Sequence, residues 1–325
     1  MILVTGGTGF IGSHLVERLS AHGERVRLMM HRKTALSGPA VEVVHCNLAT
    51  GEGIDRALSG TDVVIHLAGV TRALSSADYY EGNVTATGNL ATAVAAASAN
   101  GGSPIRMIHI SSLAAIGPSA DGTPVEEDAE PHPVSEYGRS KLEGERTLRA
   151  ILPCAVVLRP PVVYGPRDTD VFQLLKSINR GIVAQIAGGD RFFSAIYVHD
   201  LVDGILMAAR QPKAAGRAYF LAHSPAASWA ELGRIAARIM GRAPRTMNIP
   251  LGAARAVGYA AEVWARLTRN PGIVSRDKVR EAQCRYWFCN TKRAKEELGF
   301  EAPTSIEDGL AATLAWYREA GWLKY

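Results

Sequence analysis

The stretch Thr5-Gly6-Gly7-Thr8-Gly9-Phe10-Ile11-Gly12 constrains what this chain can fold into more than any other. It follows the apolar run Ile2-Leu3-Val4 directly and opens into a helical segment. Gly6 permits a tight turn, Gly9 lets the backbone approach a pyrophosphate, and Gly12 lets the helix pack closely on a sheet. The following helix N-terminus points unpaired N–H groups and a partial positive charge at the phosphates, and Phe10 and Ile11 in the turn are expected to contact the cofactor. An ordinary glycine turn is the bland alternative. The position between the first strand and first helix of a βαβ unit argues against it.

The first half alternates short apolar runs with helical segments. Residues 2–5, 25–30, 41–44, 62–67, 106–111 and 155–163 read as strands with little alternation, as in a parallel sheet buried on both faces. Residues 12–21, 53–58, 80–99 and 137–151 read as helices. Strand–helix repetition predicts an α/β fold, a Rossmann doubly wound parallel sheet with helices on both faces. After Gly165 the pattern becomes mainly helical, with a strand and helix over 196–209, a strand over 218–221, and helices over 171–181, 228–241 and 304–317. Ser228 and Thr304, each followed three residues later by Glu, have capping-box form. The expected division is a dinucleotide-binding domain of residues 1–166 and 196–224, and a smaller substrate domain of 167–195 and 225–325.

At 325 residues, 47% hydrophobic and 21% charged, the chain has the composition of a globular protein rather than a disordered one. No run approaches the ~18–20 apolar residues of a membrane-spanning helix. Its start lacks the basic lead and cleavage site of a secretory signal. Cys46, Cys154, Cys284 and Cys289 have poor zinc spacing. Reduced thiols in a cytoplasmic protein without a metal are expected. The net charge is +5, with the basic excess late in the chain. That suits a solvated face, an anionic ligand or a membrane surface, and no nucleic-acid signature accompanies it.

Cofactor choice is read after the second strand, where an acidic residue favours the ribose hydroxyls of NAD. Here the sequence is Met30-His31-Arg32-Lys33. Arg32 and Lys33 suit a 2′-phosphate, so NADP(H) is favoured over NAD(H).

Tyr137-Gly138-Arg139-Ser140-Lys141 places a phenol and an amine at i and i+4, on one helix face. A neighbouring ammonium is expected to lower the phenol pKa toward the working range for proton transfer. Alone the pattern is common. Ile110-Ser111-Ser112, at the C-terminal end of an earlier strand, strengthens it, because active sites of open α/β sheets lie there. A serine hydroxyl at that end can stabilise charge developing on a substrate oxygen.

With these residues in view, the chain resembles an extended short-chain dehydrogenase/reductase of the NAD-dependent epimerase/dehydratase superfamily over essentially its full length. The matching stretches are 5–12, 62–69, Asn83 with 88–90, 111–117, 137–141 and 159–166. The resemblance implies that Ser112, Tyr137 and Lys141 are catalytic. It further implies that Leu67, Ala68, Gly69, Ile110, Ser111 and the backbone of Pro160 to Val163 line the cofactor. Asn47, beside Leu48, stands where the family usually has an Asp near the adenine.

Departures from the family bear on the substrate. Leu113-Ala114 replace the Asp-Glu pair of sugar-nucleotide dehydratases. Val162 and Phe193 stand where nucleotide-sugar epimerases commonly carry Asn and Arg for the diphosphate, although Arg167 and Arg191 lie nearby. The run 193–200 is similar to the 3β-hydroxysteroid dehydrogenase and dihydroflavonol reductase branches. An oxidoreductase acting on a secondary alcohol or ketone of an apolar ring substrate is therefore expected. A 4-epimerase that retains its NAD is the alternative, and an NADP(H)-sensing protein that is not an enzyme is disfavoured by the intact Ser112, Tyr137 and Lys141. Residues 251–267 read as an amphipathic helix packed on the second domain, or else as an apolar lid or membrane-touching helix. Asp200 is expected to cap a helix, His199 to be structural, and Trp287, Trp316 and Trp322 to be anchors. Related folds pair through two helices apiece, so a homodimer is expected.

Overall fold

The computed structural model describes residues 1–31, 41–99, 104–186, 188–272 and 274–325. Seven parallel strands form its main sheet: β1 (Ile2–Thr5), β2 (Val26–Met30), β3 (Val41–His45), β4 (Val63–His66), β5 (Arg106–Ile110), β6 (Val156–Arg159) and β7 (Ala218–Phe220). Their spatial order is β3-β2-β1-β4-β5-β6-β7. The order reverses at β1, which pairs with β2 through Ile2 and Val26 and with β4 through Ile2 and Val63. A crevice opens beyond the strand ends at such a reversal, and α/β folds bind ligands there.

Adjacent apolar residues in each strand serve opposite faces. Val4, Ile65, Ile108 and Leu158 pack with Leu15 and Leu19 of α1 (Phe10–Ala21) and with Leu201 and Ile205 of a helix at Val198–Arg210. Their neighbours Leu3, Val64, Met107 and Val157 pack on the other face. There they meet Leu90 and Val94 of α2 (Ala86–Ala99) and Leu148 of α3 (Glu136–Ile151). A third cluster joins Leu175, Phe193, Leu232, Leu310 and Tyr317 from the later part of the chain.

Four sequence expectations change. The run 155–163 is two strands, because Pro160 and Pro161 interrupt it; Val162–Tyr164 pairs instead with Ala195–Tyr197. The run 80–99 starts earlier, at Ser76, and passes through a π-helical turn at Glu81–Thr85 before α2. Ser228 caps its helix through the Glu231 N–H as expected, but Ser305, not Thr304, caps the last one. Thr304 instead bonds Asp200 through both its N–H and its hydroxyl. Asp200 is accordingly no N-cap: its helix starts at Val198, and its buried carboxylate ties that first turn to the C-terminal segment.

One buried ion pair fixes α3 against the sheet. The Arg159 guanidinium of β6 donates Nε at 3.0 Å and Nη2 at 2.6 Å to the two carboxylate oxygens of Glu145, and Nη1 to the Glu127 carbonyl. Removing one partner strands the other charge without water. Arg159→Met is expected to cost about 3–5 kcal/mol, read from the urea unfolding midpoint; an unchanged midpoint would show that the pair does not anchor α3.

Candidate active site

The glycine turn has the geometry its sequence predicts. Gly6 has φ +68°, and the Gly9 N–H donates to its carbonyl at 3.0 Å. A Cβ on Gly12 would overlap the Gly6 carbonyl oxygen, and one on Gly6 would stand 2.6 Å from the Ala68 nitrogen. Gly9 is the N-cap of α1, and no side chain caps that helix end. The first N–H groups, from Phe10 onward, therefore face the crevice unclaimed by any side chain, as a phosphate site requires.

Leu67, Ala68 and Gly69 follow β4 on the opposite lip of the crevice, where the Ala68 N–H donates to Thr5 Oγ1 at 3.1 Å. The Asn47 side-chain oxygen is engaged by the Ala49 N–H in its own turn, and the Leu48 carbonyl accepts from Asn89. The Pro160 carbonyl accepts from the Leu113 N–H, and Val163 lies on the short strand beyond it. Ser111 is buried at the end of β5, its hydroxyl without a partner among the described residues. Arg32 and Lys33 lie outside the described residues.

Helix α3 brings the chemistry together. Ser135 caps it by accepting from the Gly138 N–H, and Asp277 accepts from the Glu136 N–H, so a carboxylate sits at the positive helix end. A Cβ on Gly138 would overlap the Ala114 carbonyl, and one on Gly144 the Asn83 carbonyl. These two absences let the helix lie close to the β5 end. Asn83 completes the fit: its amide donates to Ser140 Oγ and the Val70 carbonyl, and its oxygen accepts from the Val70 N–H.

Tyr137 and Lys141 consequently face the strand ends. The Lys141 ammonium, buried, donates to the Ile110 carbonyl at 2.8 Å, and burial lowers its pKa to about 8. A Cβ built on Gly69 would stand 2.8 Å from Asn83 Oδ1, so the bare glycine makes room for the Asn83 amide beside the Lys141 amine. Ser112 lies near enough to the Tyr137 hydroxyl to pull its pKa down. The phenol itself does not follow the sequence expectation. Burial pushes its pKa above the ordinary value, against the pull of Ser112 and of the Lys278 cation. The cation that pulls on it is Lys278 rather than the expected Lys141, and lost hydration outweighs that pull.

Two histidines lie on β4 and β5 beneath this group, their rings 5.2 Å apart. His66 bridges Thr5 and Thr87, while neither ring nitrogen of His109 has a partner among the described residues. Burial, helped by the Lys141 charge, lowers both pKa values, that of His66 to about 3. They therefore add no further cation beside Lys141 at neutral pH.

The sequence did not single out the groups that roof Tyr137. The Tyr79 ring centroid lies 6.3 Å from that of Tyr137, and the Lys278 ammonium 5.9 Å from it. Lys278 belongs to a basic run that read as a solvated face. Only the fold shows that its helix, Arg276–Gln283, lands on α3, where Glu281 also accepts from Ser135 Oγ at 2.7 Å. The expected His199 is exposed, 3.1 Å from His14 through ring nitrogens. Trp287 donates to the Glu281 carbonyl, and Trp316 and Trp322 pack on one another. No cluster of metal-ligating side chains occurs among the described residues.

Strand order, glycine turn and crevice define a Rossmann-type nucleotide-binding protein. The model of the NAD dependent epimerase/dehydratase family matches residues 2–222, and the chain belongs to that family. It is 31% identical to the ceramide reductase of Caulobacter vibrioides, over 99% of this chain and 96% of that protein. It is 28% identical to 4-hydroxy-2-methyl-3-oxo-4-farnesyl-3,4-dihydroquinoline-1-oxide ketoreductase of Stigmatella aurantiaca, over 98% and 96%. The structure of MoeE5 in complex with UDP-glucuronic acid and NAD superimposes with a TM-score of 0.78, at 25% identity over 98% of this chain and 99% of that one. The chain is an enzyme of the NAD-dependent reductase and epimerase class, an extended short-chain dehydrogenase/reductase.

The depressed His66 pKa sets a pH dependence of stability. Below its ordinary value of 6.5 the unfolded chain takes up a proton that the folded chain refuses until about pH 3, so stability falls as pH falls through this window. At pH 5 this residue alone is expected to cost about 2 kcal/mol relative to pH 7. Urea titrations at both pH values should show a smaller loss in His66→Asn than in the wild type. An equal loss in both contradicts this origin.

Proposed function

We propose that the enzyme is an NAD(P)-dependent dehydrogenase/reductase acting at a secondary alcohol or ketone of an apolar substrate, with Ser112, Tyr137 and Lys141 as its catalytic residues. The observation that carries this reading is the convergence of Tyr137, the Ser112 side chain that acts on its phenol and the buried Lys141 ammonium at the end of β5. Gly6, Gly9, Phe10, Ile11 and Gly12 would hold the pyrophosphate. Asn47 and Leu48 would border the adenine, and Leu67 to Gly69, Ile110, Ser111, Pro160 and Val163 would line the remainder. A bound nicotinamide supplies or accepts the hydride. In reduction, Tyr137 gives its hydroxyl proton to the carbonyl oxygen as the carbonyl carbon receives that hydride. Ser112 donates a hydrogen bond to the same oxygen, and Lys141 stabilises the phenolate left behind.

The names of two relatives, a reductase of ceramide and a ketoreductase of a farnesylated quinoline oxide, support an apolar substrate. The likeness to a UDP-glucuronic acid complex favours the second reading, a nucleotide-sugar 4-epimerase. The diphosphate positions weigh against it. Phe193 is stacked on Trp229 at 4.0 Å, Arg167 forks onto Glu17, and Arg191 donates to the Ile186 and Gly189 carbonyls. We further propose preference for NADP(H) through Arg32 and Lys33, a homodimer, a cytoplasmic location that suits four free cysteines, and the two-domain division drawn above. No helix among the described residues is long and apolar enough to cross a membrane.

Tyr137→Phe should abolish hydride transfer, followed at the nicotinamide absorbance, while dinucleotide affinity changes only a few fold. Unchanged turnover removes Tyr137 from the chemistry. Because Lys141 loses its proton near pH 8, carbonyl reduction should decline as pH rises through that value; a rate flat to pH 10 contradicts the role of its charge. Titration should show NADPH binding more tightly than NADH, with the difference lost in Arg32→Ala. Equal wild-type affinities end the case for the phosphate.

A further inference from the structure

Helix α4 (Leu251–Thr268) turns its apolar residues to solvent. Ala253, Val257, Ala260, Val263, Trp264 and Leu267 fall on one stripe at helical spacing, and all six are exposed. Trp264 is 69% and Leu267 75% exposed. The opposite face, Ala254, Gly258 and Ala265, is the buried one. At about 1.5 Å per residue the stripe runs for roughly 20 Å, an extent of exposed apolar surface that marks a contact site. Tyr259 (61% exposed) lies at its flank, with the Arg276 guanidinium over its ring.

The charge around the stripe has one sign in excess. Residues 251–285 contain seven Lys and Arg against three Asp and Glu, a net +4 out of +5 for the whole chain. Arg255 and Arg266 are exposed along the same helix, Arg266 sharing Glu262 at 2.7 Å, and Arg269 is exposed just past its end. A stripe of Trp, Leu and Val bordered by arginines matches an anionic lipid surface, acyl chains taking the stripe and headgroups the guanidinium groups. A second copy fits worse, because pairing this face with itself brings two basic borders together.

The helix also stands above the candidate active site. It packs on α5 (Arg276–Gln283), where a Cβ on Gly258 would come within 2.9 Å of Val279 and 3.3 Å of the Ser275 carbonyl. Arg255 donates to Gln283 at 3.0 Å. Helix α5 in turn carries Lys278 and Glu281 onto Tyr137 and Ser135. The cavity between them, lined in part by Arg72, Tyr79, Tyr137 and Lys278, is about 20 Å³, room for little more than a water.

We propose that the exposed face of α4 docks on an anionic lipid bilayer, setting the roof of the candidate active site at the membrane surface. This goes beyond the assigned activity and does not depend on it. The test is co-sedimentation of the full chain with vesicles of phosphatidylcholine alone or mixed with phosphatidylglycerol. The wild type is expected to bind the mixed vesicles, and more weakly at high salt. The double variant Trp264→Glu, Leu267→Glu should bind about tenfold or more weakly, with an unchanged melting temperature and unchanged dinucleotide affinity. Both side chains are mostly exposed, so folding should survive. No wild-type binding to the mixed vesicles, or equal binding by the variant, overturns the proposal. So does a wild-type dimer that the variant dissolves into monomers without any vesicle binding, which would assign the face to a second copy.

Discussion

An ammonium taken out of water keeps its charge only where fixed oxygen dipoles replace the lost hydration. Among the described residues Lys141 has one such replacement, the Ile110 carbonyl at 2.8 Å, and burial lowers its pKa to about 8 even so. The surrounding structure follows from holding that contact. Gly138 and Gly144 bring α3 close, Asn83 ties the loop after β4 to Ser140, and the Arg159–Glu145 pair pins the middle of the helix to β6. If any of these supports loosens, the amine moves away from the strand ends and its charge returns to solvent.

The same burial explains the other unusual groups. His66 and His109 form part of the sheet beneath the amine, and their neutrality at physiological pH leaves Lys141 as the cation of that layer. Tyr137 responds in the opposite sense: desolvation stabilises its neutral phenol. A neutral phenol next to Ser112 is in the protonation state that donates to a carbonyl.

Legibility in the sequence followed how local each signal was. Gly6, Gly9 and Gly12 declare a turn within eight residues, and the paired apolar faces of Leu3-Val4, Val64-Ile65 and Met107-Ile108 declare buried parallel strands. Tyr137 and Lys141 needed only the helical repeat and the serine pair ending β5. Pro160-Pro161 breaks a run that read as one strand, since a chain without N–H donors leaves the ladder. Asp200 read as a cap because capping is the usual use of such a residue; its partner Thr304 is 104 residues away, beyond any local pattern. The phenol pKa was misjudged for the same reason: the ammonium is near in sequence, but the burial comes from the whole fold. Lys278 counted only toward the late basic excess and Asp277 and Glu281 carry no local signal; the docking of their helix on the Ser135 end of α3 is what brings them to the site.

That docking gives the site two unlike halves, a rigid floor of strand ends and α3, and a roof held by hydrogen bonds and charge at a few points. Floors of this kind set orientation, while roofs of this kind govern access. The central claim concerns the floor: Tyr137 and Lys141 sit against the nicotinamide when the dinucleotide is in the crevice. A crystal structure of the enzyme with bound NADP⁺ or NAD⁺ tests it most directly. The expected result is the Tyr137 hydroxyl beside the nicotinamide C4, separated by room for one carbonyl group, with the Lys141 amine within reach of the ribose. A hydroxyl turned to bulk solvent, or a nicotinamide lying away from the end of β5, would contradict it.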